Sequence, residues 1–290
     1  MVVSLMRVIT RKKGKQEYLY LQHSYRLNGR LVTKERYLGK TIPTDIAIIK
    51  RTFKKECQQG LYANLEIIKK HFQEEWKRIP KAIQEKEKEE IAIAFTYNTN
   101  AIEGSTITLE ETREIIHDKI APNKSLDDIK ETEAHSAVFL QMLKKKEKIT
   151  NTSLFQWHKE IFGETKESIA GTFRTYNVRV GPYVAPDWYE IKPRMGEFMH
   201  FLKKNKGVNP VEFAARAHYK FESIHPFGDG NGRIGRLLMN HLLWHAGYPM
   251  LIIEHKKRGS YYKAFPRGEE AFVAYFLRRY LAVHKKRIRK

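Results

Sequence analysis

Residues 225–236, HPFGDGNGRIGR, place one histidine, one aspartate, one asparagine, two arginines and four glycines in twelve positions. His225 carries an imidazole that exchanges a proton near neutral pH, the property of a general base. The run GDGNG offers backbone N–H groups with little steric bulk, directly ahead of a helix whose first amides lack acceptors within the helix. This loop is therefore an anion hole suited to phosphate. Arg233 and Arg236 add planar donor forks that match phosphate oxygens, and two of them beside one nest imply more than one phosphate. Asp229 supplies hard oxygen for a divalent cation that bridges those phosphates. The combination describes nucleotidyl or phosphoryl transfer. It is neither a P-loop, lacking the GK[ST] ending, nor a dinucleotide fingerprint, since no strand leads into it.

The flanking sequence must hold these groups in place. PVEFAARAHYKFESI, residues 210–224, puts Phe213, Ala217, Phe221 and Ile224 on one apolar helix face. Pro226 takes His225 out of helical geometry, so the helix delivers the imidazole to its own mouth while Phe227 anchors the turn. In the next helix, about 232–246, Ile234, Leu237, Leu238 and His241 lie to one side. Arg233, Arg236 and Asn240 share the other, which leaves the arginines facing the ligand.

Most of the remaining chain reads as helix. Residues 44–103 keep three- and four-residue apolar spacing, interrupted at Pro80 and by the charge run KEKEE. Thr108 opens a capping box with Glu111 for a helix carrying Ile115, Ile116 and Ile120, and Ser125 starts another that reaches into KKKEK. NTSLFQWHKEIFGE is a further short helix. Residues 171–191 switch to a period of two and read as two short strands around Gly181–Pro182. A helix with Met195, Phe198 and Phe201–Leu202 follows, and a last one runs from about 270 into the basic tail. Near the start, alternation on both sides of Asn28–Gly29 predicts a β-hairpin. The fold class is mainly α with two small hairpins.

Charge and length bound the function. The net charge of +21 is concentrated at the two ends: residues 1–60 hold 14 Lys+Arg against 4 Asp+Glu, and residues 255–290 hold 12 against 2. The middle is nearly neutral, so any affinity for polyanions belongs to the termini rather than to the glycine-rich loop. No run of about 18 apolar residues spans a membrane, and the first residues do not read as a signal peptide, so a cytoplasmic location is expected. A single cysteine, Cys57, excludes an internal disulfide and a cysteine-cluster metal site.

HPFGDGNGRIGR resembles the HPFx[D/E]GNGRxxR signature of Fic domains at every fixed position, and the similarity extends over roughly residues 90–280, including GTFRTYNVRVG and SYYKAF. The resemblance implies a compact Fic-type helical bundle that transfers AMP from ATP to a Ser, Thr or Tyr hydroxyl of a target protein, releasing pyrophosphate. It implies His225 as the base, Asp229 as the ligand of Mg²⁺ or Mn²⁺, the amides of residues 230–232 as the nest, and Arg233 and Arg236 on phosphates, Arg236 on the γ-phosphate. Tyr261 and Tyr262 match positions near the adenine. Val180, Gly181, Pro182 and Tyr183 match a flap that docks an extended target segment by strand addition. On this reading residues 1–60 are a basic β-hairpin region, 61–125 a helical region, 126–270 the Fic core and 271–290 a helix with a basic tail. ATP, an unidentified target protein, the chain itself as a target and a homodimer are the implied partners.

One acid stands where a helix disfavours it. In TNAIEGSTITLEE, Glu103 ends its helix ahead of Gly104, opposing the helix dipole, so a positive group is needed nearby. Thr99, Glu103 and Gly104 resemble the [S/T]xxxE[G/N] inhibitory motif of Fic proteins, on a helix of about 84–103. The resemblance implies that Glu103 pairs with Arg236 and blocks productive binding of ATP. In some relatives the same glutamate positions a water that removes AMP from the target, so the direction of reaction stays open. The rival reading is a nucleic-acid-binding protein whose basic termini surround an inactive core. A third keeps the enzyme and transfers phosphate, choline or another nucleotide.

Overall fold

A computed structural model describes residues 6–27, 30–181, 183–204 and 207–289. The chain divides into two compact units, Met1–Ile68 and Lys69–Lys290.

The first unit is a three-stranded antiparallel sheet in the order β1 (Arg7–Lys13), β2 (Gln16–Leu27), β3 (Arg30–Gly39), followed by the start of helix α1 (Ile46–Arg78). The expected hairpin is present as β2 and β3, although the Asn28–Gly29 turn itself lies outside the described residues. The extra strand β1 corrects the hairpin reading: it pairs with β2 from Arg7↔Gln22 to Lys13↔Gln16. Its sequence, RVITRKK, sets Val8 and Ile9 side by side among four cations, so no hydrophobic alternation announces it. Leu21, Phe53 and Cys57 form a small core on one face of the sheet, with Met6, Val8, Leu38 and Ile49 packed around them.

In the second unit α1 ends ahead of Pro80, and α2 (Lys81–Ile102) begins just after it. The KEKEE run does not interrupt α2; its charges sit on a solvated face and cost the backbone nothing. A complete Thr108–Glu111 capping box opens α3 (Leu109–Arg113), which continues as a π-helical turn to Asp118. Ile115 and Ile116 are buried there, whereas Ile120 lies past the left-handed Lys119 and is exposed. Ser125 caps α4 (Leu126–Lys144) and Thr150 caps α5 (Asn151–Phe162). The 171–191 segment contains only two-residue strands, β4 (Arg179–Val180) and β5 (Tyr183–Val184), because Pro186 and the turn at Trp188–Glu190 stop the ladder. Then come α6 (Ile191–Lys204), α7 (Pro210–Ile224), α8 (Asn231–His245), α9 (Arg258–Tyr262), α10 (Glu269–Val283) and α11 (Lys285–Ile288). The terminal helix breaks at His284 rather than running through the tail.

Helices α7 and α8 pack along each other and carry the site between them. Pro210 stands at the first helical position of α7, where its missing N–H is no loss, and Asn209 caps that end. Ala217, Phe221, Ile224, Phe227, Ile234, Leu237 and Leu238 join Phe95, Phe139, Leu154, Trp157 and Met195 in one core. Burying a side chain of that size contributes about 1.5–3 kcal/mol, so the two ends of the loop are fixed by the most stable part of the unit. No described helix is long and apolar enough to cross a membrane.

Candidate active site

The loop between α7 and α8 begins with backbone strain. His225 adopts φ 52°, ψ 61°, a left-handed conformation that few residues other than glycine occupy. Pro226 thus ends the helix as expected, but through a left-handed turn rather than an extended one. Arg174 holds this turn in place. Its Nε donates to the His225 carbonyl at 2.9 Å, Nη1 to the Tyr176 carbonyl at 2.7 Å and Nη2 to the Pro186 carbonyl at 2.5 Å, and its amide donates to the Pro226 carbonyl at 3.0 Å. One buried guanidinium therefore ties the histidine turn to both ends of the 176–186 hairpin.

The imidazole is poised as a base. Nδ1 of His225 lies 3.4 Å from the Glu222 carbonyl, which can only accept, so Nδ1 carries the proton and Nε2 keeps its lone pair. Burial pushes the His225 pKa below its ordinary value; Arg174 adds to this, while the Glu222 carbonyl and the acids Glu103 and Asp229 oppose it. Beneath it, burial pushes Glu222 up to about 8, with Glu103 adding and Arg236 opposing. Its Oε1 has no hydrogen-bond partner among the described residues, and its carboxyl lies 3.9 Å from His218 Nδ1 and 4.0 Å from His225 Nδ1. A protonated acid thus sits under the base.

The cradle is built from close contacts. Asn231 spends its side chain on the loop, accepting from the Phe227 amide at 2.8 Å and donating to the Phe227 carbonyl at 2.9 Å. The first bond of α8 runs from the Ile234 amide to the Gly230 carbonyl, which leaves the amides of Asn231, Gly232 and Arg233 without acceptors in the helix. Gly230, at φ 73°, lies so close to Phe162 that a Cβ would sit 2.4 Å from the ring. His158 supports the loop from below: Nε2 donates to the Asp229 carbonyl at 3.0 Å, Nδ1 accepts the Gly171 amide at 2.9 Å, and burial pushes its pKa down to about 4, so it stays neutral.

Both signature arginines are buried and engaged by acids from neighbouring helices. Arg233 lies over the Phe162 ring at 4.3 Å and pairs with Glu131 of α4, while its buried Nε has no partner among the described residues. Burial works against the Glu131 charge, but Arg233, Lys166 and Thr165 outweigh it and hold its pKa below the ordinary value. Lys166 bridges two carboxylates, with Nζ 2.8 Å from Glu131 and 2.8 Å from Asp229. Burial likewise raises Asp229, yet Lys166, the Gly230 amide and Arg233 keep it below its ordinary value and ionised.

Arg236 is held from α2. Its Nε donates to Thr99 Oγ1 at 2.6 Å, and its Nη2 donates to the Thr99 carbonyl at 3.2 Å and to Glu103 Oε1 at 2.6 Å. Glu103 caps the C-terminus of α2 and Gly104 takes φ 102° just beyond it. The cation required by an acid at this helix end is therefore Arg236. A Cβ on Gly232 would lie 2.2 Å from Glu103 Oε1, so the carboxylate rests on the floor of the amide cradle itself.

Tyr261 and Tyr262 stand within electrostatic reach of Glu103 and Arg236. Asn240 turns inward and bonds the Leu251 backbone through both ends of its amide. Tyr261 is buried, its hydroxyl 2.7 Å from His218 Nε2, whereas Tyr262 is half-exposed with its hydroxyl 3.4 Å from the Ile102 carbonyl. Val180, Gly181 and Tyr183 lie in the hairpin, the Tyr183 hydroxyl donating to the Ser223 carbonyl at 2.7 Å; Pro182 lies outside the described residues. Arg174, Glu131, Lys166, His158 and Glu222 were not singled out in the sequence. Only Arg174 had a local signal, its place in GTFRTYNVRVG.

Residues 148–243 match the family described as the Fic/DOC family. The chain is 38% identical over 189 residues to a protein of Nematostella vectensis named protein adenylyltransferase Fic, covering 63% of this chain and 44% of that protein. A Drosophila grimshawi protein of the same name is 36% identical over 197 residues, covering 66% of this chain and 41% of its own length. The chain thus spans less than half the length of these relatives. Among solved structures, a Fic-1 fragment (residues 134–508) from C. elegans superposes with a TM-score of 0.68 at 24% identity, covering 84% of this chain and 77% of the fragment. A Fic-domain-containing signaling protein from Bacteroides thetaiotaomicron gives 0.65 at 23% identity, covering 78% and 93%.

Proposed function

We propose that this chain, which carries a Fic/DOC domain, transfers AMP from ATP to a hydroxyl of a protein and releases pyrophosphate. The observation that carries this reading is a neutral imidazole standing at the mouth of an amide cradle on the α8 N-terminus, backed by two arginines. With Nδ1–H held by the Glu222 carbonyl, the Nε2 lone pair of His225 takes the proton from a Ser, Thr or Tyr hydroxyl. The freed oxygen attacks the α-phosphorus and the bond to pyrophosphate breaks. The amides of Gly232 and its neighbours, with the positive end of α8, stabilise the charge that gathers on the phosphate oxygens. Arg233 and Arg236 hold the β- and γ-phosphates once their acidic partners give way.

Asp229 fits a divalent cation: it is ionised, half-exposed and already binds a cation, the Lys166 ammonium. Mg²⁺ or Mn²⁺ held there would neutralise phosphate charge. Glu103 supports a resting inhibited state, because a carboxylate seated over Gly232 and bonded to Arg236 denies that arginine to a γ-phosphate. The hairpin supports target docking, since Tyr176, Val180, Tyr183, Val184 and Trp188 expose large apolar side chains within thirteen residues of each other. Its attachment to the histidine turn through Arg174 would carry a docked segment to His225.

The test is incubation of the purified chain with ATP labelled at the α-phosphate and a divalent cation, beside His225→Ala. Label in the wild type and none in the variant are expected. Label retained from the γ-phosphate instead would favour phosphate transfer. An inert core with nucleic-acid arms finds no support in relatives named as adenylyltransferases.

A further inference from the structure

The first unit carries a surface that the transfer reaction does not use. Register divides the sheet into two faces. Val8 pairs with Leu21, and that face holds the small core with Phe53 and Cys57. The opposite face presents Arg7, Ile9, Arg11 and Lys13 from β1, Gln16, Tyr18, Tyr20 and Gln22 from β2, and Thr33, Glu35 and Tyr37 from β3. Three aromatic rings thus stand on the face turned away from the core. Tyr37 is outermost, 54% exposed, with its ring 6.0 Å from Tyr18 and 5.3 Å from Tyr20. Cations flank the cluster: the Arg11 guanidinium lies 6.0 Å from the Tyr20 ring and the Lys40 ammonium 6.0 Å from the Tyr18 ring.

The charge on this unit is uncompensated. The acids of residues 1–60 are Glu17, Glu35, Asp45 and Glu56. Three of them already pair within the unit, Glu17 with Lys12, Glu35 with Arg11 and Glu56 with Arg36. Arg7, Lys13, Lys15, Lys34 and Lys40 hold no ion pair among the described residues. A strand advances about 3.4 Å per residue, so Arg7, Arg11 and Lys13 form a row of cations about 14 and 7 Å apart along the strand beside the rings.

We infer that this sheet face is a binding platform for single-stranded nucleic acid, with the β1 cations on the phosphate backbone and Tyr37, supported by Tyr18 and Tyr20, stacked on bases. A solvated sheet face needs charge for solubility but not a cluster of aromatic rings. A base has a π-face for each ring and its phosphates answer the cations, which an acidic peptide would do only for the cations. Nothing in the nucleotidyl-transfer site depends on this surface, and the two functions stand or fall separately.

The experiment uses the full chain, a fluorescent single-stranded oligonucleotide of mixed sequence and its duplex, with anisotropy read over a range of salt. Four variants accompany the wild type: Tyr37→Ala, Tyr37→Phe, the double variant Arg7→Gln with Lys13→Gln, and, at the other basic end, the double variant Lys285→Gln with Lys286→Gln. Circular dichroism and AMP transfer check that each is folded. Tyr37→Ala is expected to weaken single-strand binding about tenfold while Tyr37→Phe retains it. The β1 pair is expected to lower the salt slope by about 1.4, roughly 0.7 for each lost phosphate contact on a single strand. The tail variant keeps the tyrosine-dependent binding. Absence of binding by the wild type, loss confined to the tail variant, tighter binding to duplex, or a Tyr37→Ala protein that binds like the wild type would each overturn the inference.

Discussion

Glu103→Gly tests the inhibited state by removing a carboxylate 2.6 Å from the Arg236 guanidinium. The Arg236 side chain is 2% exposed and that of Glu103 34%. Loss of a fully buried partner costs about 3–5 kcal/mol, but a third of this carboxylate is wet, so the lower range of a charged hydrogen bond, about 1.5–3 kcal/mol, applies. Arg236 keeps Thr99 Oγ1 and the Thr99 carbonyl and so stays in place. If the contact must open before a γ-phosphate reaches Arg236, its removal raises the productive fraction by the same energy, roughly 10- to 150-fold in rate. The assay is the initial rate of transfer from α-labelled ATP at saturating nucleotide, with thermal unfolding in the same buffer. The variant should unfold earlier without ATP and regain part of the difference with it, because nucleotide binds the folded state. A folded variant that binds nucleotide yet transfers at the wild-type rate refutes the inhibitory role of Glu103.

Further outcomes follow from the same geometry. His225→Ala should lower transfer by about 10² to 10⁴ while nucleotide still protects the protein from unfolding, as read by single-turnover rates and melting curves. Gly232→Ala sets a methyl 2.2 Å from Glu103 Oε1 and 3.0 Å from Arg236 Nη1, so it should dislodge the glutamate yet fill the cradle. Nucleotide protection should vanish, and adding Glu103→Gly should not restore transfer. Four buried histidines, His158, His241 and His284 with pKa values pushed down to about 4 and His218 to about 3, are neutral in the fold. The unfolded chain takes up protons below about pH 6.5 and the fold does not, so stability should fall steeply from there toward pH 4. Glu222, raised to about 8, acts in the opposite sense: it binds a proton in the fold that the unfolded chain has lost, and should weaken the fold gently as pH climbs toward 8. Urea midpoints across pH 4–9 would show a maximum near pH 6.5 if both signs are right, and a flat profile if they are not.

The local parts of the site were legible because short-range rules govern them. Pro226 had to end α7, Pro210 and Asn209 had to open it, and glycines had to precede α8. An acid at the end of α2 needed a cation, and geometry supplied Arg236. The identity of partners was less legible, because it depends on which helix is packed opposite. Spacing of three put Arg233 and Arg236 on a shared side of α8, but could not say that Glu131 of α4 and Thr99 and Glu103 of α2 stand on that side. Asn240 turned inward because the Leu251 backbone approaches it, an encounter eleven residues away in a loop with no pattern of its own. Arg174 serves three carbonyls that meet only when the hairpin folds against the histidine turn. Strand β1 escaped notice since its pairing depends on the backbone of β2 and not on apolar alternation.

The measurement closest to the central claim is the fate of two labels in one reaction, with the Glu103→Gly protein given ATP carrying one label at the α-phosphate and another at the γ-phosphate. AMP transfer requires the first to become bound to protein through a hydroxyl and the second to leave in pyrophosphate, with neither bound when His225 is also replaced by alanine. Protein that retains the γ-label, or retains neither while nucleotide is bound, would contradict it.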